Sequence, residues 1–362
     1  MRRKFYKYSK QTTAEVLQTL TSNEKLIAVL CAQCGNYGLA PSESSFAIHG
    51  MIVEHFIEGG NYPVGGASSI HKKLTDVIEA NKGILAIKAE VKNIIIENNK
   101  AIGVEMANGD KLYSQNVVSN AGAHNTFNKL ISKPIQKEEN TIALNNVKPS
   151  VSHVCIYVGL NASDAELKLP KYNIWLFDNY KINHSQEHHL KTKNSTSPIT
   201  YISFPSAKDP DWETKHPGTA TIQVLGSFPY EWMKEWENGK WQKRGEEYEK
   251  KKEEIKNDLL EKLLKTLPHI KDNIEICELS TPLSTKHFSN YSNGEIYGLE
   301  HTPARFKLLQ LRANTTYKNL FLTGQDIVCV GVGAAMFSGL ITSIAVLKRN
   351  LLWKVIRYKV VD

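Results

Sequence analysis

The sequence predicts a mixed α/β fold, α+β overall, in which two α/β pieces flank an inserted antiparallel sheet. Three observations carry that reading. A Gly-rich turn leads into an amphipathic stretch and then β-branched runs between residues 61 and 132. Aromatic, strand-like pieces crowd residues 133–300, and after Pro303 the chain returns to small residues and one apolar strand, "NLFLTG". The expected divisions are a helical part over 1–60, a second segment over 61–132, the sheet-rich insert over 133–300 and a closing segment with a tail helix over 301–362.

The elements follow in order. Thr12 with Glu15, and Thr21 with Glu24, each fit the capping box in which a hydroxyl and a carboxylate satisfy backbone N–H groups at a helix start. Short helices follow, broken by "CGNYGLAPSES". The turn "EGGNYPVGG" opens a helix whose Ile70, Leu74, Val77 and Ile78 share one face and which ends at Gly83. From Ile84 the period changes to that of strands, with turns at Asn98-Asn99 and Asn108-Gly109 and a buried strand in "NVVSNAG". The insert offers strands in "SHVCIYVGL", "YNIWLFDNY", "TYISFPS" and "TATIQVLGS". A long helix from Gly245 to Leu267 sets Tyr248, Ile255, Leu259, Leu263 and Leu267 against a solvated Lys/Glu face. The polar stretch "DNYKINHSQEHHLKTKNSTSP" reads as a loop.

Composition excludes several classes. A chain of 362 residues, 41% hydrophobic and 23% charged, can bury a full core. Its net charge of +8 comes from scattered Lys and Arg with small clusters at Arg2-Arg3-Lys4 and over 348–359. No basic stripe interleaved with aromatics accompanies it, so no nucleic acid is expected; an acidic membrane surface suits the charge better. Five cysteines without framework spacing point to a reducing compartment. The opening residues lack the apolar run of a secretory signal. A cytoplasmic protein, peripheral at a membrane, is the expectation.

The deciding stretch is "NLFLTGQDIVCVGVGAAMFSGLITSIAVLKRN", Asn319 to Asn350, with no charge between Asp326 and Lys348. A membrane span is set aside because Gly331, Gly333, Ser338, Gly339, Thr342 and Ser343 dilute it, and a turn at "VCVGVG" leaves a helix of about 21 Å against a hydrocarbon core of about 30 Å. A dinucleotide fingerprint is set aside because Met336 replaces the third glycine and no βαβ unit follows. A strand ending in Gly324-Gln325-Asp326, followed by a Gly-flanked helix start, fits a ligand site: a carboxylate beside free helix N–H groups suits flavin adenine dinucleotide (FAD), with its sugar hydroxyls, phosphates and ring edge. The alternative is a buried helix whose Asp326 merely caps a neighbour.

With these residues in view, the chain resembles the FAD-dependent family of phytoene desaturases, carotenoid isomerases and all-trans-retinol 13,14-reductases (retinol saturases). The blocks "VEHFIEGGNYPVGGASSI", "VVSNAGAHNTF", "ISFPSAKDPDW", "STPLSTKHFSNYSNGEIYGLEHTPARF" and "LFLTGQDIVCVGVGAAMFSGLITSIAVL" carry the likeness in order. The resemblance implies a partial FAD-binding Rossmann-like domain with an inserted substrate domain, and a lipophilic polyene substrate to be saturated, desaturated or isomerised. It implies that Val91 meets the adenine end of FAD, Asp326 the ribityl or pyrophosphate part, and Val332, Gly333, Ala334, Ala335 and Met336 the flavin, with Gly65 and Gly66 at the entry turn. The family's opening strand and G-x-G-x-x-G do not precede Thr12. The chain therefore resembles the family from its middle onward, with a separate N-terminal Rossmann half as an expected partner. A non-catalytic lipid-binding or inert fragment is the alternative.

Other constellations are weaker. Cys31-Ala-Gln-Cys34 has redox spacing without a second C-x-x-C, and His184, His188 and His189 lie in a polar stretch without a third metal-ligand pattern, so no metal is expected. In a flavoenzyme, Tyr297 or His301 is the candidate proton donor. Tyr172, Trp175, Phe177, Tyr201 and Phe204 either wall a polyene tunnel or form sheet core. The tail "LKRNLLWKVIRYKVV" fits a bilayer surface or a packed helix equally.

Overall fold

The computed structural model describes residues 2–132, 144–192, 197–308 and 310–357, and the chain opens with four short helices. They are α1 (Arg2–Tyr8), α2 (Thr13–Gln18), α3 (Glu24–Leu30) and α4 (Phe46–Phe56). Thr12 forms the expected capping box with Glu15, whose carboxylate accepts the Thr12 amide at 2.7 Å. The second expected box does not form. Asn23 caps α3 by accepting the Leu26 amide, and Thr21 Oγ1 accepts the Asn23 amide. Asn outranks Thr as an N-cap, so the cap moves two residues along.

Gly65 and Gly66, both at positive φ, turn the chain into α5 (Ser68–Ala80). The helix forms as its spacing predicts, yet it has no buried residue, and Leu74, Val77 and Ile78 are exposed. Residues 84–87 stay outside the sheets, with Ile84 at 92% and Ile87 at 78% exposure. Next, β1 (Val91–Glu97), β2 (Lys100–Met106) and β3 (Lys111–Tyr113) make an antiparallel meander. Asn98 and Asn99 both take positive φ, as the tight turn between paired Glu97 and Lys100 demands. β4 (Val117–Ser119) then leads through Gly122 into α6 (Ala123–Asn128).

The insert is one five-stranded antiparallel sheet in the order β6-β7-β8-β5-β9. Its elements are β5 (His153–Leu160), β6 (Ile174–Phe177), α7 (Ile182–Lys191), β7 (Ile199–Ser203), β8 (Ala220–Ser227), α8 (Glu246–Thr266) and β9 (Ile274–Ser280). Period-two alternation gives the sheet two different faces. Val154, Ile156, Val158, Ile202, Ile222 and Val224 pack with Leu259 and Leu263 of α8 into the main core. Trp175, Phe177 and Ile199, on the other face, join Cys31, Cys34 and Tyr37 of the N-terminal part in a second core.

α7 corrects the expectation of a loop. Within that helix only Ile182 and His189 are buried, seven residues apart, and His189 Nε2 lies 3.2 Å from the Ser227 carbonyl. One isoleucine and one histidine on a helix face give almost no apolar periodicity to read. Residues 193–196 of that stretch lie outside the described residues.

The chain closes through α9 (Pro303–Lys307), β10 (Leu320–Leu322) and α10 (Val332–Leu347). β10 pairs in parallel with β4, Leu320 opposite Val117. α10 lies on β10 through hydroxyls: Ser338 Oγ accepts the Gly324 amide at 2.6 Å, and Thr342 Oγ1 donates to the Leu322 carbonyl at 2.8 Å. Ser338 and Thr342 are its buried residues, Leu340, Ile341, Ile344 and Val346 are part-buried, and Val332, Met336, Phe337 and Leu347 are exposed. No helix among the described residues is long and apolar enough to cross a membrane.

Candidate functional site

Loops from distant parts of the sequence converge behind the start of α10. Gly324 has φ +94°, and a Cβ there would meet Asn120 Oδ1 at 2.0 Å, so only glycine permits this turn at the end of β10. The turn carries Asp326 inward. Its carboxylate accepts the Ala123 amide at 2.7 Å and the Leu299 amide at 3.0 Å. Ala123 is the first residue of α6, so the charge also sits on that helix's positive end. Asp326, expected to meet the ribityl or pyrophosphate part of FAD, is 5% exposed and ties three backbone segments together.

Arg305 completes the knot. Its buried guanidinium donates to the carbonyls of Leu299, Gln325, Asp326 and Val328. A planar fork with five donors can serve several carbonyls where a lysine cannot. Beside it, His301 Nε2 accepts the Val330 amide at 3.0 Å and stands 3.2 Å from Arg305 Nη1. An accepting Nε2 leaves the proton on Nδ1, a buried atom with no partner. Burial, then the Arg305 charge, hold the imidazole well below its usual range. His301 is thus a neutral pin for the turn that precedes α10.

α10 itself begins in the open. Gly331 has φ +106°, no side chain caps the helix, and nothing lies within 4 Å of where a Cβ would stand on Gly331 or Gly333. The first-turn amides have no intrahelical acceptor and the dipole's positive end points the same way. Such a terminus receives anionic groups, a phosphate above all. The backbone amides of Val332, Gly333 and Ala334 could hold the phosphate of a dinucleotide.

A cavity of about 250 Å³ lies between the five-stranded sheet and the N-terminal part. The strand register builds its floor. Cys155, Leu225, Tyr201 and Trp175 stand opposite one another across four strands, and His153 stands opposite Ser227. Gly35, Asn36, Gly38, Ile296 and Tyr297 supply further walls. A Cβ on Gly35 would meet the Trp175 ring at 2.1 Å, so the indole packs directly on backbone. Tyr297 donates its hydroxyl to the Gly35 carbonyl at 3.0 Å, and burial pushes its pKa up to about 12. The wall and the helix start share one apolar cluster, in which Cys329, Val330 and Ala334 pack with Trp175, Ile199 and Tyr297.

Comparison with known proteins agrees with this layout. Over 359 residues the chain is 33% identical to the all-trans-retinol 13,14-reductase of Danio rerio, covering 96% of this chain and 59% of that protein. The chloroplastic prolycopene isomerase of Daucus carota is 27% identical over 342 residues, 92% of this chain and 52% of that protein. The chain's curated homologues are retinol reductases and prolycopene isomerases. It spans about three fifths of the length of the retinol reductases it matches, 59%. No family model matches. Among solved structures, an oxidoreductase from Methanosarcina mazei superposes with a TM-score of 0.62 at 18% identity, over 94% of this chain and 68% of that one. That likeness shows a shared fold.

Of the residues expected at a cofactor, Val332 to Met336 form the open first turn of α10, and Gly324 shapes the turn behind it. Gly65 and Gly66 make the turn before α5, where the Gly65 amide donates to Asp209 Oδ1 at 2.9 Å, and Val91 starts β1. Of the two candidate proton donors, Tyr297 lines the cavity, whereas His301 is fully buried at the α10 turn and is not among the lining residues. Trp175 and Tyr201 line the cavity, Phe204 is core and Tyr172 is exposed. Cys31 and Cys34 are buried with thiols raised to about 11 and about 12, so they remain protonated core residues. His184 and His188 stack in parallel on α7. Sequence reasoning missed His153, whose only signal was a histidine on an apolar strand. It gave Arg305 no role of its own beyond a place, with Tyr297 and His301, in a titratable block that could line a flavin-facing cavity.

Proposed function

We propose that this chain carries the substrate cavity and part of the cofactor site of an FAD-dependent oxidoreductase that acts on a carbon–carbon double bond of a polyene lipid of carotenoid or retinoid type. The observation that carries the reading is the apolar, aromatic cavity whose wall shares a packed cluster with the open N-terminus of α10. The backbone amides of Val332, Gly333 and Ala334 would hold FAD there. Bound FAD would supply the hydride donor that reduction of a double bond requires, or the acceptor that desaturation requires. The chain's own residues orient and exclude water: Trp175, Tyr201, Leu225 and Ile199 offer a flat apolar bed. Tyr297, protonated at neutral pH, holds a proton at Oη and is the proposed donor. The names of the homologues and the oxidoreductase fold support this reading.

The exposed elements support a further part of the proposal, a partner unit. A two-stranded parallel ladder is not a stable sheet alone, and parallel strands are normally covered on both faces. Here β4 and β10 form such a ladder, α10 rests on β10, and apolar residues of α5 and α10, with Ile84 and Ile87, are exposed. A βαβ unit bearing the dinucleotide fingerprint, on this polypeptide or another, would cover them. Exposed Trp353 and Val355 beside Lys354 and Arg357 support peripheral contact with an acidic bilayer.

The test is a chimaera in which this chain is joined to the part of the Danio rerio enzyme outside the matched region. With FAD and a reductant, the expected result is loss of the conjugated absorbance of added all-trans-retinol. An unchanged polyene spectrum with a folded, flavin-loaded chimaera would reject the activity.

A further inference from the structure

Among the described residues that line the cavity, one buried side-chain nitrogen, on half-buried His153, has no hydrogen-bond partner. Ser152 Oγ donates to the Phe228 carbonyl, Ser227 Oγ meets Ser197 Oγ at 3.1 Å, Tyr297 donates to Gly35, and the Tyr201 hydroxyl is bonded to Ser203. His153 also lines the cavity, and its buried Nδ1 finds no hydrogen-bond partner. The residue begins β5, opposite Ser227 of β8, and from Cys155 onward β5 is also paired with β9, which fixes the strand that carries the ring. An unsatisfied buried polar group is costly, so its persistence at a cavity needs a partner. Burial moves the imidazole down to about 4, so at neutral pH it is uncharged, with one nitrogen donating and the other accepting.

We infer that His153 is the polar recognition residue of this cavity, hydrogen-bonding the single hydroxyl or carbonyl oxygen of an otherwise apolar, conjugated ligand and so fixing which way round it lies. The inference rests on the reading of the cavity as the substrate site and adds the chemistry of the substrate's polar end. A neutral imidazole pairs with an alcohol or aldehyde at no charge cost, whereas a pure hydrocarbon leaves it unpaired. An aromatic bed of Trp175 and Tyr201, their rings 4.6 Å apart, suits the conjugated part. His153 acts here as a positioning and specificity residue. It is not assigned a proton transfer.

The test uses the full chain and two probes, all-trans-retinol and its hydrocarbon analogue lacking the hydroxyl, with binding read from quenching of tryptophan fluorescence. The native chain should prefer the alcohol by roughly tenfold, the scale of one well-made hydrogen bond in a dry site. His153→Phe should bind the hydrocarbon at least as well and lose the preference to within about twofold, and His153→Gln, which keeps a donor, should restore part of it. Thermal unfolding of each variant confirms that it is folded. If both probes bind the native chain with equal affinity, or if the preference survives in His153→Phe, the role of His153 is overturned while the substrate cavity stands. If neither probe binds the native chain, the cavity reading falls and this inference falls with it.

Discussion

The Asp326 carboxylate receives the Ala123 amide at 2.7 Å across 203 residues of sequence. Its other oxygen takes the Leu299 amide, so one side chain joins the end of β10, the start of α6 and the segment leading to α9. Asp326→Ala strands two buried amide hydrogens at about 1–3 kcal/mol each. A loss of roughly 2–6 kcal/mol in urea unfolding is expected, with Asp326→Asn intermediate because its amide nitrogen cannot accept. A change below about 0.5 kcal/mol, the range of surface substitutions, would mean the carboxylate holds nothing.

Arg305 should be less replaceable than its charge suggests. The guanidinium serves four carbonyls from Leu299 to Val328, and an ammonium cannot span that geometry. Arg305→Lys is expected to cost about 3 kcal/mol or more, as for other broken buried charge networks. Denaturation of Arg305→Lys beside Arg305→Met checks this: near-native stability of the lysine variant would show that charge alone suffices.

Stability should fall in acid for a nameable reason. Burial lowers His153 from the usual 6.5 to about 4, and burial with the Arg305 charge holds His301 well below the same ordinary value. The unfolded chain therefore binds protons that the folded chain refuses as pH drops below about 6.5. The stability from these neutral rings is complete above that pH and is lost on the way down toward 4. Glu295 and Glu300, raised by burial, act in the opposite sense above 4.5, so the histidine part is isolated by difference. Unfolding free energies of His153→Phe should show a shallower slope than the native chain between pH 6.5 and 4. Equal slopes would contradict the assignment.

The outer face of α10 offers a prediction of the reverse kind. Met336 is 57% exposed and Phe337 47% exposed. Met336→Glu with Phe337→Glu should leave the stability of the chain within about 0.5 kcal/mol, as for surface positions, while abolishing its association with the fingerprint-bearing part of the Danio rerio enzyme in gel filtration. Undiminished association would place the partner surface elsewhere.

Much of this fold is legible in the sequence wherever a strong local pattern meets a matching environment. The four quoted strands of the insert, the box at Thr12 and the 21-residue helix α8 all form as their spacing predicts. Legibility fails where position depends on distant partners. α7 is nearly silent because it docks through one isoleucine and one histidine. α5 and α10 are visible as helices, but their burial is not, since α10 rests on hydroxyls that read as dilution of an apolar run. Asp326 looks like a ligand residue in "LTGQD" because sequence shows the turn and hides the amides of Ala123 and Leu299. His153 becomes notable only when the hydrogen bonds of its neighbours are assigned.

The central claim is that the start of α10 is a dinucleotide contact beside a lipid cavity. The direct measurement is flavin retained per chain after FAD incubation and gel filtration of the chimaera with the Danio rerio portion, compared with the same chimaera carrying Gly333→Leu. The account predicts oxidised-flavin absorbance co-eluting with the first and lost from the second, both being folded. Absence of flavin from both, or equal retention in both, would contradict it.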